Sequence, residues 1–278
     1  MFFIKKHYVI GTIICSLISQ TAFARDIYRN EDPQGRITYS DIATTESKKI
    51  KLSPQTYRYL HQVTKIYDGD TIVLENGQRV RLLGINTPEI ESRYRKSEPG
   101  GIAAKKWLQR QLRNKKVYLE FDQEKYDRYK RLLAHVYLPN GQHLNTALVE
   151  NGLAVLNLIP PNLRHAGIML KAQQRAEELG LGIWSISAYK PRPLTQISEK
   201  TNGWQRYTGI AKSIKHSRKY SRLIFNHKMD IRIANDSLPL FPELKTYLGK
   251  SLEIRGWISR KKDHYSIRIH HPSAILFR

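Results

Sequence analysis

Between residues 66 and 89 the chain sets acids, an amide and an arginine at the ends of two short apolar runs. Asp68-Gly69-Asp70-Thr71 precedes Ile72-Val73-Leu74, and Glu75-Asn76-Gly77-Gln78 follows. Asn-Gly between alternating runs is the strongest short hairpin signal. The return run, Val80 to Ile85, ends at Asn86-Thr87-Pro88-Glu89, where proline stops the ladder. Hairpin pairing therefore brings Asp70 close to Asn86 and Glu89. Such oxygen donors suit calcium, and a carboxylate not consumed by the metal is a candidate general base for activating water.

Three ordered blocks carry a resemblance: Asp68-Gly69-Asp70-Thr71, then Arg81-Leu82-Leu83-Gly84-Ile85-x-Thr87-Pro88-Glu89, then Tyr126-Asp127-Arg128-Tyr129-x-Arg131. From about Val63 to Trp184 the chain resembles the thermonuclease (staphylococcal nuclease) family. The resemblance implies calcium-dependent cleavage of DNA and/or RNA with little sequence preference. It implies Arg81 and Arg131 as the phosphate-binding pair and Glu89 as the general base. Asp70, Asn86 and the backbone carbonyl of Thr87 would hold Ca2+, with Arg128 and Tyr129 at the substrate. The chemistry is coherent. Phosphodiester hydrolysis requires an activated water and neutralisation of charge at phosphorus, and one hard cation with planar arginine forks supplies both. Two departures stand out. Asn86 replaces a second metal-binding aspartate, and the tyrosines that stack on the nucleotide appear as Leu158 and Pro160. Arg131 has basic neighbours at Arg128 and Lys130; strand alternation would put residues 129 and 131 on one face, and the family pattern selects Arg131.

Composition points the same way. The formal charge is +23, or +21 without Lys5 and Lys6, which concentrates polyanions at low salt. Residues 1–24 read as a signal peptide: two lysines, an apolar stretch from Tyr8 to Ile18, then Ala22-Phe23-Ala24. Export to a periplasm or medium is expected, with no transmembrane segment in the mature chain. The single cysteine, Cys15, lies in this leader, which leaves the mature chain without disulfide or thiolate chemistry. The histidines show no zinc spacing, with His270 and His271 read as adjacent strand residues facing opposite ways. No Gly-rich phosphate loop or nucleophile elbow is present. Two rivals stand beside the nuclease: a non-catalytic nucleic-acid-binding protein on the same scaffold, and an envelope polyanion-binding protein.

The elements that must position these residues suggest an α+β, mainly β chain with two OB-type barrels. Residues 25–54 form a small hairpin module, Ile27-Tyr28-Arg29 against Ile37 to Ser40. Residues 57–188 form an OB-type barrel with helices at Ile102 to Asn114, Leu144 to Asn151 and Ile168 to Leu179. Glu91 to Gly101 reads as a mobile loop. Residues 189–203 read as a polar, proline-containing linker. Residues 204–278 carry strands, a helix over Phe241 to Leu248 and two more strands, the order of a second, basic OB-like barrel. Residues 201–278 hold 16 Lys and Arg against 5 Asp and Glu, with aromatics interleaved, a pattern suited to nucleic acid. Protein partners are not legible.

Overall fold

The computed structural model describes residues 27–31, 37–40, 47–50, 59–91, 97–113, 116–199 and 201–278. The leader expected over residues 1–24 lies outside them. The chain divides into two compact units, residues 1–56 and 57–278. In the first, β1 (Ile27–Glu31) pairs antiparallel with β2 (Ile37–Ser40), the expected hairpin, and β3 (Lys48–Ile50) pairs along the other edge of β1.

The second unit opens with a closed barrel. Its strands are β4 (His61–Ile66), β5 (Thr71–Leu74), β6 (Arg79–Leu82), β8 (Lys116–Glu120) and β9 (Leu132–Tyr137), ordered β4-β5-β6-β9-β8. The β6–β9 pair is parallel and the others antiparallel. Closure removes every unpaired edge, which a small basic sheet would otherwise expose. Alternation fills the interior: Ile72, Leu74, Val80, Leu82, Val117, Ala134 and Val136 are fully buried or nearly so. Helices α1 (Gly101–Leu112), α2 (Leu144–Glu150) and α3 (Ala166–Glu178) add Leu108, Leu148 and Met169 to the same core. The return run expected as one strand is broken. Leu83 and Gly84 (φ 76°) turn the chain out of the barrel, a conformation that glycine takes without steric cost. Strand β7 (Ile85–Asn86) then pairs with β10 (Val155–Leu156).

The described residues of the stretch expected as a linker take up structure. Tyr189 is buried, and β11 (Arg192–Pro193) pairs in parallel with β12 (Trp204–Ile210). Proline is tolerated there because β11 is an edge. The remaining strands are β13 (Ser213–His216), β14 (Tyr220–Asn226), β15 (Met229–Ala234), β16 (Ser251–Lys261), β17 (His264–Ile269) and β18 (Ile275–Phe277). The sheet runs β11-β12-β16-β17-β15-β14-β13, with β18 on β16. Strands β12 and β13 flank only residues 211 and 212, so the path begins and ends on two halves of one bent strand. The order therefore repeats that of the first barrel, but among the described residues its ring is completed by the covalent chain rather than by a ladder. The expected helix over 241–248 is a 3-10 turn, Leu244–Tyr247, bounded by Pro242 and Gly249, which stop an α-helix from extending either way.

Candidate active site

Three strand starts and ends meet at one end of the first barrel. Thr71 lies opposite Arg81, and Arg81 opposite Leu133, so the residues flanking them converge. Asp70, just before β5, is buried. Its Oδ2 accepts from Arg81 Nη1 at 2.8 Å, from the Thr87 backbone N–H at 2.8 Å and from Thr87 Oγ1 at 3.2 Å. Arg81 extends its other terminal nitrogen to Asn86 Oδ1 at 2.7 Å. The Asn86 amide in turn donates to the Thr87 carbonyl at 2.8 Å. One guanidinium thus ties both halves of the hairpin motif together. Asp68 accepts from the Asp70 backbone N–H. Burial, then the charge of Asp70, pushes its carboxyl up to about 6.

Glu89 is held by its backbone. Its N–H donates to Glu98 Oε2 at 3.0 Å, and its carbonyl accepts from the Glu98 N–H at 2.8 Å. These bonds clamp the two ends of the expected loop, of which residues 92–96 lie outside the described set. Helix α1 begins directly against this clamp: a Cβ on Gly101 would meet the carbonyl oxygens of Glu89 and Pro88 at 2.6 and 2.7 Å. Only a residue with no side chain lets the helix approach so closely.

Arg131 comes from a turn, not from a strand face as alternation suggested; β9 starts one residue later. The Lys130 N–H donates to the Asp127 carbonyl at 3.0 Å, and the Asp127 N–H to the Arg131 carbonyl at 3.1 Å. Asp127 Oδ2 then takes Arg131 Nε at 2.7 Å. Burial would raise the Asp127 carboxyl, but the backbone and side-chain hydrogen bonds from Arg131 hold it below its ordinary value. The acid anchors the arginine by Nε alone, which leaves the terminal nitrogens without a carboxylate among the described residues. Exposed Tyr129 lies beneath two guanidinium groups, Arg128 at 4.7 Å and Arg131 at 5.5 Å from the ring centre.

Asp70, Arg81, Asn86, Glu89, Arg128, Tyr129 and Arg131 all line one open cleft of about 900 Å³. Thr87 sits behind Asp70. Leu158 is buried in the core and contributes no ring to the substrate side. The cleft's far wall comes from the second barrel, through Arg268 and His270. Sequence reasoning missed them because no local pattern links residues so far apart in the chain. His270 and His271 lie beyond the end of β17 and line a common crevice, contrary to the expected opposition on a strand.

Among the described residues no three His, Cys, Asp or Glu side chains converge as metal ligands. The expected calcium set has only one such side chain, Asp70, with an amide and a carbonyl. Its donors are all oxygen, as a hard cation requires. Asp68 and Asp70 together form the crowded carboxylate pair that a cation would relieve. The Asn86 and Thr87 oxygens are presently engaged with Arg81 and with the Asn86 amide.

Carboxylates beside two arginine forks in a solvent-open cleft suit the chemistry of a phosphodiester-cleaving class of enzyme. The staphylococcal nuclease homologue family matches residues 79–186. The thermonuclease of Staphylococcus intermedius is 38% identical over 125 residues, covering 44% of this chain and 74% of that one. The thermonuclease of Staphylococcus hyicus is 36% identical over 134 residues, covering 47% and 76%. Endonuclease YncB of Bacillus subtilis is 35% identical over 152 residues, covering 52% and 72%. The chain belongs to the thermonuclease family and is a nuclease.

Proposed function

We propose that the protein is an exported, calcium-dependent endonuclease that hydrolyses DNA and/or RNA with little sequence preference. The observation that carries the reading is the Arg81 fork, which holds Asp70 and Asn86 at the floor of a cleft that Glu89 and Arg131 also face. Asp70, Asn86 and the Thr87 carbonyl would hold the calcium. When bound, that ion supplies charge neutralisation at the phosphate and lowers the cost of deprotonating water. Glu89, fixed by the Glu98 clamp, takes the proton from the attacking water. Arg131 turns its terminal nitrogens to the phosphate oxygens and Arg81 lends the charge of its fork, favouring the added negative charge of the transition state. Tyr129 offers a ring face, which any base can stack on, consistent with weak sequence preference. Export rests on the leader-like residues 1–24; among the described residues no helix is long and apolar enough to cross a membrane.

A second reading is a nucleic-acid binder without turnover, favoured by the engagement of the Asn86 and Thr87 oxygens inside the protein. Cleavage of labelled single-stranded DNA, duplex DNA and RNA by the chain starting after Ala24 separates the two. With calcium, fragments are expected; with chelator, none. Glu89→Ala should lower the rate on the order of 10²- to 10⁴-fold, the usual contribution of a general base. Salt-sensitive binding with no cleavage under any divalent ion would establish the second reading.

A further inference from the structure

The second barrel presents a continuous basic row on its outer face. Lys215 lies directly opposite Arg222, Arg222 opposite Arg232, and Arg232 opposite Arg268. Residues directly opposite one another share a face, and their alternation partners Leu223, Ile231 and Ile267 fill the barrel core. The row crosses three inter-strand steps, roughly 14 Å in all. It is built rather than accidental. Asp230, fully buried, braces Arg222 at 3.4 Å and Arg232 at 3.3 Å. Arg268 donates to the Tyr220 hydroxyl at 2.9 Å and lies over its ring. Lys215 and Arg268 are exposed and have no carboxylate within ion-pair distance among the described residues.

The row ends where catalysis is proposed. Arg268 lines both the 900 Å³ cleft and an adjoining crevice of about 280 Å³ between the barrels. Trp257 precedes the Ile258–Ile267 pair by one residue and Arg268 follows it by one, so the indole stands beside the last cation. Trp257 is 36% exposed and lines the crevice with Trp204, the residue opposite it on β12. An exposed aromatic ring beside a run of cations selects unpaired bases, because duplex bases hide their faces in the stack.

Resting on the nuclease reading of the cleft, we infer that the outer face of the second barrel is a single-stranded nucleic-acid track. It carries the polymer from Lys215 across Arg222, Arg232 and Arg268 into the catalytic cleft, with Trp257 stacking on a base at the entrance. The barrel thereby makes the enzyme prefer long single strands over short ones and over duplex.

Fluorescence anisotropy in chelator reads this without cleavage, using labelled oligothymidylate of 6 and 20 nucleotides and a 20-base-pair duplex. The intact mature protein should bind the 20-mer more tightly than the 6-mer or the duplex. Arg222→Ala/Arg268→Ala should weaken the 20-mer roughly tenfold and make its log–log salt dependence shallower by about 1.4, for two lost phosphate contacts. Trp257→Ala should weaken the single strand severalfold and leave the duplex unchanged. Lys215→Ala, fully on the surface, repeats the salt test with little risk to folding. Unchanged 20-mer affinity and salt slope in both arginine and lysine variants would overturn the track, as would equal losses for duplex and single strand. Because binding is read without hydrolysis, a protein that cuts nothing yet shows these losses defeats the nuclease reading alone. One that cuts but shows no losses defeats the track alone.

Discussion

The Asn86 side chain joins the two halves of the site, with its oxygen on Arg81 and its nitrogen on the Thr87 carbonyl. An aspartate there would keep the Arg81 partner as a charge-assisted bond, remove the donor that occupies Thr87, and add a negative charge beside Asp70. Cation affinity should rise. Asn86→Asp is expected to lower the calcium concentration for half-maximal cleavage, and the calorimetric calcium Kd, by roughly tenfold, about 1.4 kcal/mol. Identical Kd values would show that neither oxygen meets the ion. At this scale the sequence was most informative where chemistry is contiguous, since one hairpin sets Asp70 beside Arg81, while the turn at Leu83 and Gly84 that brings Thr87 back onto Asp70 was not legible. It was silent on Asp127 as the anchor of Arg131. The acid acts through a turn with Lys130 at φ 60°, a conformation that the residue types there do not announce.

Three elements share a feature that linear spacing concealed. His135 on β9, His143 before α2 and His165 before α3 place their rings 4.5–5.1 Å apart. His135 Nδ1 lies 3.1 Å from His143 Nε2, and His143 Nδ1 lies 2.7 Å from Thr146 Oγ1. With both rings neutral, each of these contacts carries one shared proton, donated from one side or the other along the chain. Burial, then the charges of His143 and His165, lowers His135 to about 3; burial, then His165, lowers His143 to about 4. Glu120 joins them through His165 at 2.7 Å. Burial would raise its carboxyl, but hydrogen bonds from His165, Arg164 and Tyr137 bring it down to about 2. Well above pH 6.5 both depressed histidines are neutral folded and unfolded, so they add no pH dependence. Below 6.5 the unfolded chain binds two protons that the fold refuses. Stability should then fall by up to about 2.7 kcal/mol per pH unit between pH 6 and 4, at about 1.4 for each group. The Glu120 contribution, present above pH 4.5, is lost below it. Urea midpoints at pH 7, 6 and 5 test this. His143→Gln should roughly halve the slope, and parallel wild-type and variant curves would remove the histidines from the account. The elements themselves were legible, because helical spacing of buried residues survives in α1 and α3 and period-two alternation in β6 and β14. Their packing against one another was not.

At the scale of the whole molecule, a buried ion cluster joins the two barrels of the second unit. Glu177 on α3 binds Arg255 through both oxygens, at 2.5 and 2.7 Å, and Arg206 at 3.2 Å. Glu253, wholly buried, holds Arg206 at 2.7 Å, Arg255 at 2.6 Å and Arg278. Beside it, Trp184, Tyr189 and Trp204 pack edge and tilt with ring centres 6.0–6.5 Å apart. Stretch 189–203 reads as a linker in composition because its prolines and polar residues are those of linkers. The packing of its described residues comes from a partner surface that composition does not reveal. Removing one member of such a cluster costs more than the pair contributes, because the remaining charges stay buried without compensation. Glu177→Ala should therefore destabilise the second barrel's seat by about 3 kcal/mol, tempered by the partial exposure of Glu177 itself. Glu177→Gln, which keeps an acceptor, should cost less. Calorimetry is expected to split one unfolding transition into two, and limited proteolysis to open a site within 189–203. A single unchanged transition with no new cleavage would show that the aromatic contacts alone hold the barrels. The functional consequence follows from the cleft: Arg268 and His270 reach it only while the second barrel stays seated, so loosening this cluster should cost long single-strand affinity without touching Glu89 or Arg131.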